Sequence, residues 1–381
     1  MVGGTRPRRG SMGFYPRKRA KSIVARIRRW RRIDDPKPLG FAGYKVGMLH
    51  LVMLEDNPNS PYYQKEMAKA ATIIEVPPLV VCGIRAYKKT PYGLKTIGEI
   101  WAKEVLFSSV RKKIEDALKK ARSKEEKRKV LAKLDYKIVF KDLERVFTLP
   151  KLDTKSESEK VDIEKLYSNL IEKFRQKAST ANEIRLIVAT QPRKAGIHKK
   201  KPEVFEIPVG GSTQEALEYS LNKLGKEIDV KEVFEEGKYV DVVSITKGKG
   251  FAGVVKRFGV KILPRWHKHR KGHRRIGSVG PTGPAIMFTT PRPGQLGFQQ
   301  RTEYNKRILK IGTAPEDINP LSGFKHYGII RSTFMIIEGS IPGPSKRLVR
   351  LRFPIRPITG MPENPPKILY MSTQPVSVPA R

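Results

Sequence analysis

The chain has 381 residues, of which 77 are Lys or Arg and 37 are Asp or Glu, so its formal net charge at pH 7 is +40. Apolar side chains make up 39% of the chain and 31 glycines come in addition, which is typical of a folded protein and argues against disorder throughout. A charge of this size repels itself unless a polyanion neutralises it. Nucleic acid is therefore the first expected partner, and an anionic membrane surface is the second.

Cysteine content and hydropathy narrow the possible classes of protein further. Cys82 is the only cysteine, so neither an intramolecular disulfide nor a cysteine-based zinc site is expected, as is typical of a reducing compartment such as the cytoplasm. No stretch approaches the roughly 20 apolar residues that span a bilayer, and the N-terminus lacks the apolar core of a secretory signal. The length predicts two domains, or one domain with large insertions.

The N-terminal segment is strongly basic. Residues 1–33 carry twelve Lys or Arg and no acid, with Phe14, Tyr15 and Trp30 among them. Because this segment cannot bury a core, we predict a basic N-terminal extension over residues 1–39, disordered alone and ordered when its arginines pair with phosphates and its aromatic rings stack on bases. A solvated tail would have the same composition. The candidate RNA contacts here are Arg6, Arg8, Arg9, Arg17, Lys18, Arg19, Arg28, Arg29 and Arg31.

Strand patterns follow, and then a segment of different composition. Over residues 40–102, short apolar runs such as GFAGYKVGMLHLVML and LVVCGIRAY predict the first strands of a β domain, with Cys82 in the core. Residues 103–240 hold 32 basic and 24 acidic residues, a nearly balanced composition. It predicts an inserted helical α+β subdomain with solvent-facing ion pairs, although heat adaptation would produce the same composition.

Three helices are predicted within this insertion. Apolar residues recur at helical intervals in residues 108–134 and again in residues 161–176. A third helix is predicted from Thr213 to Leu224, with Ser212 as its N-cap and Gly225 at its C-terminal stop.

Strand patterns resume after the insertion. The runs YVDVVSI, AIMFTT, HYGIIRSTFMII and RLVRLRF predict strands, so residues 241–353 are expected to complete the β domain from a distant part of the chain. Residues 354–381 contain seven prolines and little periodicity, which predicts an extended C-terminal tail.

The candidate functional segment lies at residues 246–310. It holds sixteen Lys or Arg and a single acid, Glu303, and its frequent Gly and Pro predict that much of it is loop. Glycine lets the backbone pass close to another surface, arginine binds phosphate through two hydrogen bonds, and Trp266 and the histidines offer stacking faces. This combination predicts a basic finger, residues 260–300, that enters folded RNA.

A dinucleotide-binding turn is suggested by one motif in this segment and contradicted by its surroundings. Gly248, Gly250 and Gly253 form G-x-G-x-x-G after a predicted strand. A dinucleotide site also needs a helix that opens at the turn and an acid about 20 residues later, whereas basic residues and Pro264 follow here. We therefore expect these glycines to relieve crowding where backbone meets phosphate.

The sequence offers no convincing metal or catalytic site. His267, His269 and His273 have ligand-like spacing, but no cysteine or carboxylate accompanies them and the surrounding cations would repel a dication. The basic segment contains neither a nucleophile with a base and an orienting acid nor a P-loop. No cofactor, metal or catalytic residue is expected.

Several Gly- and Arg-rich blocks occur in an order that resembles a known family. They are TKGKGFAGVVKRFG (246–259), HRRIGSVGP (273–281), PGQLGFQQRTEYNKRI (293–308) and GSIPGPSKRLVRLR (339–352), and the opening SMGFYPRKRA and GFAGYKVGM fit as well. Together they resemble protein three of the large ribosomal subunit, in its longer archaeal and eukaryotic form. The resemblance spans nearly the whole chain.

The resemblance implies a mixed β and α+β fold, in which a translation-factor-like β-barrel carries an inserted α+β subdomain and two basic extensions that penetrate large-subunit rRNA. It also implies a role in subunit assembly and a finger that approaches the peptidyl transferase centre. Carried over by position, the RNA contacts are Lys247, Lys249, Lys256 and Arg257 in the first block, Arg265, Trp266, His269, Arg270, Arg274 and Arg275 in the finger, and Gln295, Gln299, Arg301, Lys306 and Arg307 in the returning arm.

The finger tip departs from the family pattern. Members of the family commonly carry Trp between Gly-Pro or Gly-Ala and x-Pro, whereas this chain has Thr282 in Gly-Pro-Thr-Gly-Pro. Thr282 cannot stack, so a contact at the tip must use its hydroxyl or the backbone, or Trp266 must take part of the role. His267 and His269 both match the histidine that the family places before the tip.

The resulting hypothesis is a structural, non-enzymatic constituent of the large ribosomal subunit in the cytoplasm. Its expected partners are large-subunit rRNA and neighbouring ribosomal proteins, without a membrane, DNA or a free homo-oligomer. The alternative is an RNA-processing enzyme or another basic RNA-binding protein outside the ribosome, for which Glu303 is the only acid in the basic segment. A DNA-binding architectural protein is less favoured because no recognition helix is predicted in the basic blocks.

Overall fold

The computed structural model describes residues 9–107, 134–149, 163–280 and 285–372, together with Asp116, Ser123, Glu126, Val130 and Gly283. The chain forms two compact units. Unit 1 combines Met1–Ala25 with Ser244–Arg301, and unit 2 combines Arg26–Val243 with Thr302–Arg381. The first and last residues, the finger tip with Thr282 and most of the helix predicted over residues 108–134 lie outside the described residues.

The strands are β1 (Gly40–Leu54), β2 (Glu66–Glu75), β3 (Leu79–Thr90), β4 (Gly93–Trp101), β5 (Glu183–Ala189), β6 (Val204–Pro208), β7 (Glu227–Ile228), β8 (Tyr239–Ile245), β9 (Phe251–Ala252), β10 (Gly294–Gln295), β11 (Gln300–Gly312), β12 (Phe334–Glu338), β13 (Leu348–Arg352) and β14 (Ile368–Met371). The α-helices are α1 (Lys103–Leu106), α2 (Ile138–Asp142), α3 (Ile163–Ala178), α4 (Thr213–Lys223) and α5 (Val254–Phe258).

A seven-stranded sheet joins distant parts of the chain. Its order is β13-β8-β11-β12-β2-β1-β14, and β13 also pairs with β1. In β1, residues Gly40–Tyr44 are buried throughout, and from Leu49 onward buried residues alternate with more exposed ones. The first part therefore lies within the core, whereas the second part has one face toward solvent, as the period of two in its sequence requires.

The second sheet of unit 2 is built from the residues between these strands. Its order is β4-β3-β5-β6, and β7 pairs with β3. Strands β3 and β4 thus pair with strands that follow residue 180, although the predicted domain boundary lies at residue 102. Val80 and Cys82 of β3 pack with Val105 of α1 and with Phe140 and Leu143 in a buried apolar cluster. Burial raises the pKa of the Cys82 thiol well above its ordinary value, so this cysteine is a core residue, as predicted.

Two of the predicted helices are confirmed within the described residues. Helix α4 begins after Ser212, whose hydroxyl accepts from the Glu215 amide while the Glu215 carboxylate accepts from the Ser212 amide. This capping box satisfies two groups that would otherwise have no partner at the helix start. Gly225 follows the helix at φ 78°, and α3 matches the pattern predicted over residues 161–176.

The strand predicted at HYGIIRSTFMII forms only in part. Strand β12 begins at Phe334, because the backbone N–H groups of Arg331 and Ser332 donate to the carboxylate of Glu75 at 2.7 and 2.9 Å. The fully buried Glu75 also accepts from the Gly196 amide and the Tyr327 hydroxyl. A buried carboxylate needs such donors, so it takes the hydrogen bonds that a longer strand would have used.

Two other predictions from the sequence were wrong. The run AIMFTT (residues 285–290) forms no strand, because its Ile286, Met287 and Phe288 are exposed and the amide of Thr290 donates to Met287 in a turn. A short helix, α5, does open after the G-x-G-x-x-G motif.

Candidate nucleic-acid interface

The charged side chains of unit 1 are all basic. Its two segments carry 20 Lys or Arg and no Asp or Glu. No carboxylate of this unit can therefore neutralise any of its cations, and their mutual repulsion must be offset by solvent ions or by an external anion. A polyanion with regularly spaced charges is the ligand that such a surface favours.

The N-terminal arm contacts helix α5, which precedes the finger, through arginines that bind backbone carbonyls. Arg17 donates to the Arg257 carbonyl at 3.2 Å, and Arg257 returns a hydrogen bond to the Arg17 carbonyl at 3.2 Å. The Arg257 guanidinium also donates to the carbonyls of Arg292 at 2.8 Å and Gln295 at 3.0 Å. One guanidinium thus joins three separate segments of unit 1, which requires the five donors that only arginine has.

Aromatic rings also pack at the contact between the N-terminal arm and the rest of unit 1. The Arg17 guanidinium lies 4.2 Å from the centroid of the Phe258 ring, and that of Arg301 lies 4.5 Å from the Phe14 ring. Tyr15 packs against Phe288 with 5.3 Å between ring centroids. Since no acids are present, π faces and carbonyls take the place of carboxylates as partners of the cations.

Backbone conformation positions the basic side chains of the first block. Gly253 precedes α5, and Gly259 ends it in the left-handed conformation at φ 62°, so Lys256 and Arg257 lie on a single short turn of helix. Strand β9 pairs with β10, with Ala252 opposite Gly294. Gly297 has φ 71°, and a Cβ atom there would lie 2.1 Å from the Lys247 carbonyl oxygen, so only glycine permits this approach.

The arginines at this contact are electrostatically crowded. Burial lowers the pKa of the Arg257 and Arg301 guanidinium groups, and the nearby positive charge of Arg17 lowers both further. In each case the charged form is disfavoured by its surroundings. An anion bound nearby would reverse this effect, which is what a phosphate group would provide.

Many predicted contact residues are exposed, and this set is suited to an external ligand. It comprises Lys18, Arg19, Arg28, Arg29, Arg31, Lys247, Lys249, Lys256, Arg265, Trp266, Arg270, Arg274 and Arg275. The Trp266 ring is 70% exposed. His269 is half-buried, whereas Arg6, Arg8 and Thr282 lie outside the described residues.

Other predicted contact residues are occupied by the protein itself. Arg9 donates to the Gly259 carbonyl at 2.7 Å, and the Gln295 amide donates to backbone carbonyls at 3.2 and 3.0 Å. Gln299 is buried and accepts from Arg301 at 3.0 Å. These contacts give the four residues a role in shaping unit 1, which residue type alone did not indicate.

Arg307 and Lys306 lie in unit 2. The buried Arg307 guanidinium donates to both carboxylate oxygens of Asp56, at 2.8 and 2.5 Å, and to the Asn364 carbonyl at 2.6 Å. Lys306 is half-buried, with its ammonium group 4.0 Å from the Glu303 carboxylate. The geometry of Arg307 favours a structural role, and the sequence did not show this because Asp56 is distant along the chain.

Sequence analysis missed several exposed groups of unit 1. Phe251 is 80% exposed, more than any other aromatic side chain described in this unit. It follows Gly250, and the exposed cations Lys249 and Lys256 are close to it in the sequence. An exposed ring among exposed cations is suited to stacking on a base. The sequence does indicate this residue, because Phe251 is an aromatic residue inside the G-x-G-x-x-G motif. The further exposed cations are Lys21, Lys261, Lys268, Lys271 and Arg292.

The described residues contain neither a metal-binding cluster nor a membrane-spanning helix. No group of three or more His, Cys, Asp or Glu in the described part of the chain could hold a metal ion. His267–His269 form a 3-10 turn, and His273 lies a few residues beyond it. No helix among the described residues is long and apolar enough to cross a membrane.

Comparison with known proteins places the chain in a family. The sequence profile described as Ribosomal protein L3 matches residues 4–374. The chain belongs to the ribosomal protein L3 family. Its mixed, sheet-rich arrangement of helices and strands is consistent with this ribosomal protein L3 membership, as the resemblance in the Gly- and Arg-rich blocks predicted.

Curated relatives of the L3 family match over nearly their whole length. A protein of Pyrobaculum calidifontis described as large ribosomal subunit protein uL3 is 49% identical over 378 residues, which cover 97% of this chain and 98% of the relative. Proteins with the same description from Archaeoglobus fulgidus and Methanopyrus kandleri are 44% and 43% identical, and cover 92% and 96% of this chain. The first of these covers 92% of the relative, and the second covers 90%.

Proposed function

We propose that this L3-family protein is a structural constituent of the large ribosomal subunit, binds large-subunit rRNA and supports assembly of the subunit in the cytoplasm. The observation that carries the proposal is unit 1, with 20 cations and no acid. The description of its relatives as large ribosomal subunit proteins supports the same conclusion. Neighbouring ribosomal proteins are its expected protein partners.

The exposed cations of unit 1 are the proposed phosphate contacts. Lys247, Lys249 and Lys256 would bind phosphates near the base of the finger, and Arg270, Arg274 and Arg275 would do so further along it. Trp266 and Phe251 would stack on unpaired bases. The partly enclosed Arg17, Arg257 and Arg301 would hold the arm and the finger in one arrangement, and neighbouring phosphates would lower their repulsion.

The finer features of the family are also proposals. We propose that six strands of the larger sheet, from β13 to β1, close into a barrel like that of translation factors, which is supported by the pairing of β1 with β13 in addition to the linear strand order. The finger would reach toward the peptidyl transferase centre, with Thr282 at the position where relatives of this type carry a stacking residue. The exposed, largely irregular backbone of residues 260–280 suits a segment that takes its final shape against RNA.

The competing function is an RNA-processing enzyme. It requires an acid or a nucleophile among the cations, and Glu303 is the only acid between residues 246 and 310. Glu303 is exposed and has no second carboxylate as a partner, since its ion-pair partner is Lys306. If the purified protein cleaved RNA and Glu303→Gln abolished the cleavage, the structural proposal would fail.

The experiment that tests the proposed function is purification of the tagged protein from native extract at low and high salt, with sequencing of the bound RNA. Large-subunit rRNA that remains after the high-salt wash is expected, because a built-in protein is held by shape as well as by charge. Mixed RNA that is lost at moderate salt would instead show indiscriminate binding of polyanions.

A further inference from the structure

Two clefts in unit 2 share part of their lining. Arg28, Trp30, Leu94 and Arg185 line both clefts. One has a volume of about 580 Å³ and extends to Arg350, and the other has a volume of about 820 Å³ and extends to the start of α4. Each volume is of the size that small-molecule and nucleotide sites usually have.

Basic side chains predominate in the walls of both clefts. The basic residues are Arg26, Arg28, Arg31, Arg32, Lys89, Arg185 and Arg350, and the acidic residues are Asp34, Glu183, Glu206 and Glu215. Three of the four acids already have partners. Glu183 and Glu206 form ion pairs with Arg185, Glu206 also pairs with Arg85, and Glu215 caps α4. The clefts therefore keep a positive excess that suits an anion.

Arg350 gives the smaller cleft a buried cation. Its side chain is 5% exposed, donates to the Glu206 carbonyl at 2.8 Å and lies over the Phe205 ring at 4.3 Å. Burial lowers the pKa of this guanidinium to about 9, and Glu206 offsets only part of that effect. A second negative charge in the cleft would stabilise Arg350, as an Arg–phosphate pair does elsewhere.

Trp30 is held in place between the two clefts. Its ring packs over Gly40, where a Cβ atom would lie 2.8 Å from the ring atom Cζ3, so glycine makes room for the indole. The ring is half-buried, and the Arg350 guanidinium lies 5.8 Å from it. A pre-positioned indole beside arginines is the arrangement that binds an unpaired base together with its phosphates.

We propose that the two clefts bind a short single-stranded segment of RNA, with an unpaired base against Trp30 and phosphates beside Arg28 and Arg350. The inference rests on the proposed function, because it assumes that RNA is the polyanion. A single strand is favoured over a duplex because a duplex keeps its bases stacked inside and cannot present one to the indole. Arginine and an aromatic ring together also fit a nucleotide better than an acidic peptide, which offers charge without a base to stack.

The test uses fluorescence of Trp30 in the full chain. Trp101→Phe and Trp266→Phe leave Trp30 as the only tryptophan of the protein, which has three. The probe is a fluorescein-labelled decamer of uridine, compared with a ten-base-pair RNA duplex and with polyglutamate, while anisotropy of the labelled RNA reports total binding. The decamer is expected to quench Trp30 about twofold or more, and the duplex and polyglutamate are not, because only an accessible base can stack on the ring.

A matched pair of variants distinguishes binding in the clefts from a general effect of positive charge. Arg28 lines both clefts, whereas Arg175, an exposed residue of α3, lines neither. Arg28→Gln should raise the decamer concentration at half-quenching about threefold or more, and Arg175→Gln should leave it nearly unchanged although both remove one charge.

The outcomes distinguish this inference from the proposed function. If anisotropy reports full binding while Trp30 fluorescence stays constant, the cleft inference is overturned and RNA binding by unit 1 stands. Equal quenching by polyglutamate would overturn the choice of RNA as the occupant. If the protein bound none of the RNA probes, the proposed function itself would fail.

Discussion

Arginines are paired differently in the two units of the molecule. In unit 2, Arg85 and Arg185 share the carboxylate of Glu206 and reach Glu99 and Glu183 respectively, which forms a network across neighbouring strands. In unit 1, Arg17 and Arg257 bind each other's backbone carbonyls, because no acid is available. Unit 2 thus neutralises much of its own charge, whereas unit 1 leaves its charge for an external anion.

The difference shows that basic side chains have two roles in this protein, one in stability and one in ligand binding. A cation paired with a buried carboxylate contributes to stability and is of little use to a ligand, since removing it from its partner has a cost. An exposed cation without a carboxylate contributes little to stability and is available to phosphate. Substitution of the paired cations of unit 2 should therefore lower stability, and substitution of the exposed cations of unit 1 should lower RNA binding.

The largest functional effect is expected at the finger. Replacing residues 270–284 with a short Gly-Ser linker should change the thermal midpoint by no more than about 2 °C, because the described part of this segment buries little apolar surface. The proposal that the finger reaches toward the peptidyl transferase centre predicts that peptide synthesis by subunits that carry the variant falls about tenfold or more, since small displacements near a reaction centre have large effects. Calorimetry and a translation assay measure the two quantities. A variant that failed to fold would show that the finger belongs to the core.

The sequence predicted elements better than it predicted the partners of individual residues. Strand β1 and helix α4 follow from local signals, an apolar run and the Ser212 N-cap, which need no distant partner. The late start of β12, at Phe334, was not predictable, because it depends on Glu75, which lies far away along the chain. The same reason explains why Arg307 and Arg257 were assigned to RNA: the composition of a segment shows its charge, whereas only the fold shows which groups occupy each guanidinium.

The largest effect on stability is expected at Arg307. Arg307→Leu should lower the free energy of unfolding by about 3 kcal/mol, the lower end of the range for a broken buried pair, because the Asp56 carboxylate is 27% exposed. Lys306→Leu is the matched control, and its distant ion pair predicts a change of about 0.5 kcal/mol or less. Denaturant unfolding measures both. Equal stability of the two variants would contradict the structural role of Arg307.

Low pH should remove the stabilisation that the ion pair between Arg307 and Asp56 contributes. The hydrogen bond from Arg307 lowers the pKa of Asp56 below its ordinary value of 3.8. A carboxylate whose pKa is lowered by folding stabilises the protein above its unfolded pKa and loses this effect as the pH falls through its folded value. The stability difference between the wild type and Arg307→Leu should therefore be complete at pH 7 and shrink below about pH 3.8. A difference independent of pH would rule out the ion pair as its cause.

A smaller loss of stability is expected at the start of α4. Ser212→Ala removes the hydroxyl that accepts from Glu215 and should lower the free energy of unfolding by about 1 kcal/mol. Ser168→Ala in α3 is the control, because its hydroxyl only donates to the Lys165 carbonyl within an exposed helix. Denaturant unfolding measures both variants. Equal stability of Ser212→Ala and Ser168→Ala would contradict the role of the capping box in holding the start of α4.

The smallest effect is expected from single-charge substitutions. Removing one cation from each unit compares the two units most directly. Lys249→Gln removes an exposed cation of unit 1 and should reduce the slope of log affinity against log salt by about 0.7–0.9, the value for one phosphate contact. Lys194→Gln removes a cation of unit 2 that is paired with Asp135 and Glu227, and it should leave the slope unchanged. Titration of structured RNA at several salt concentrations measures both slopes. Equal reductions would show that paired and unpaired cations are equally available to RNA, and the division of labour between the units would then be wrong.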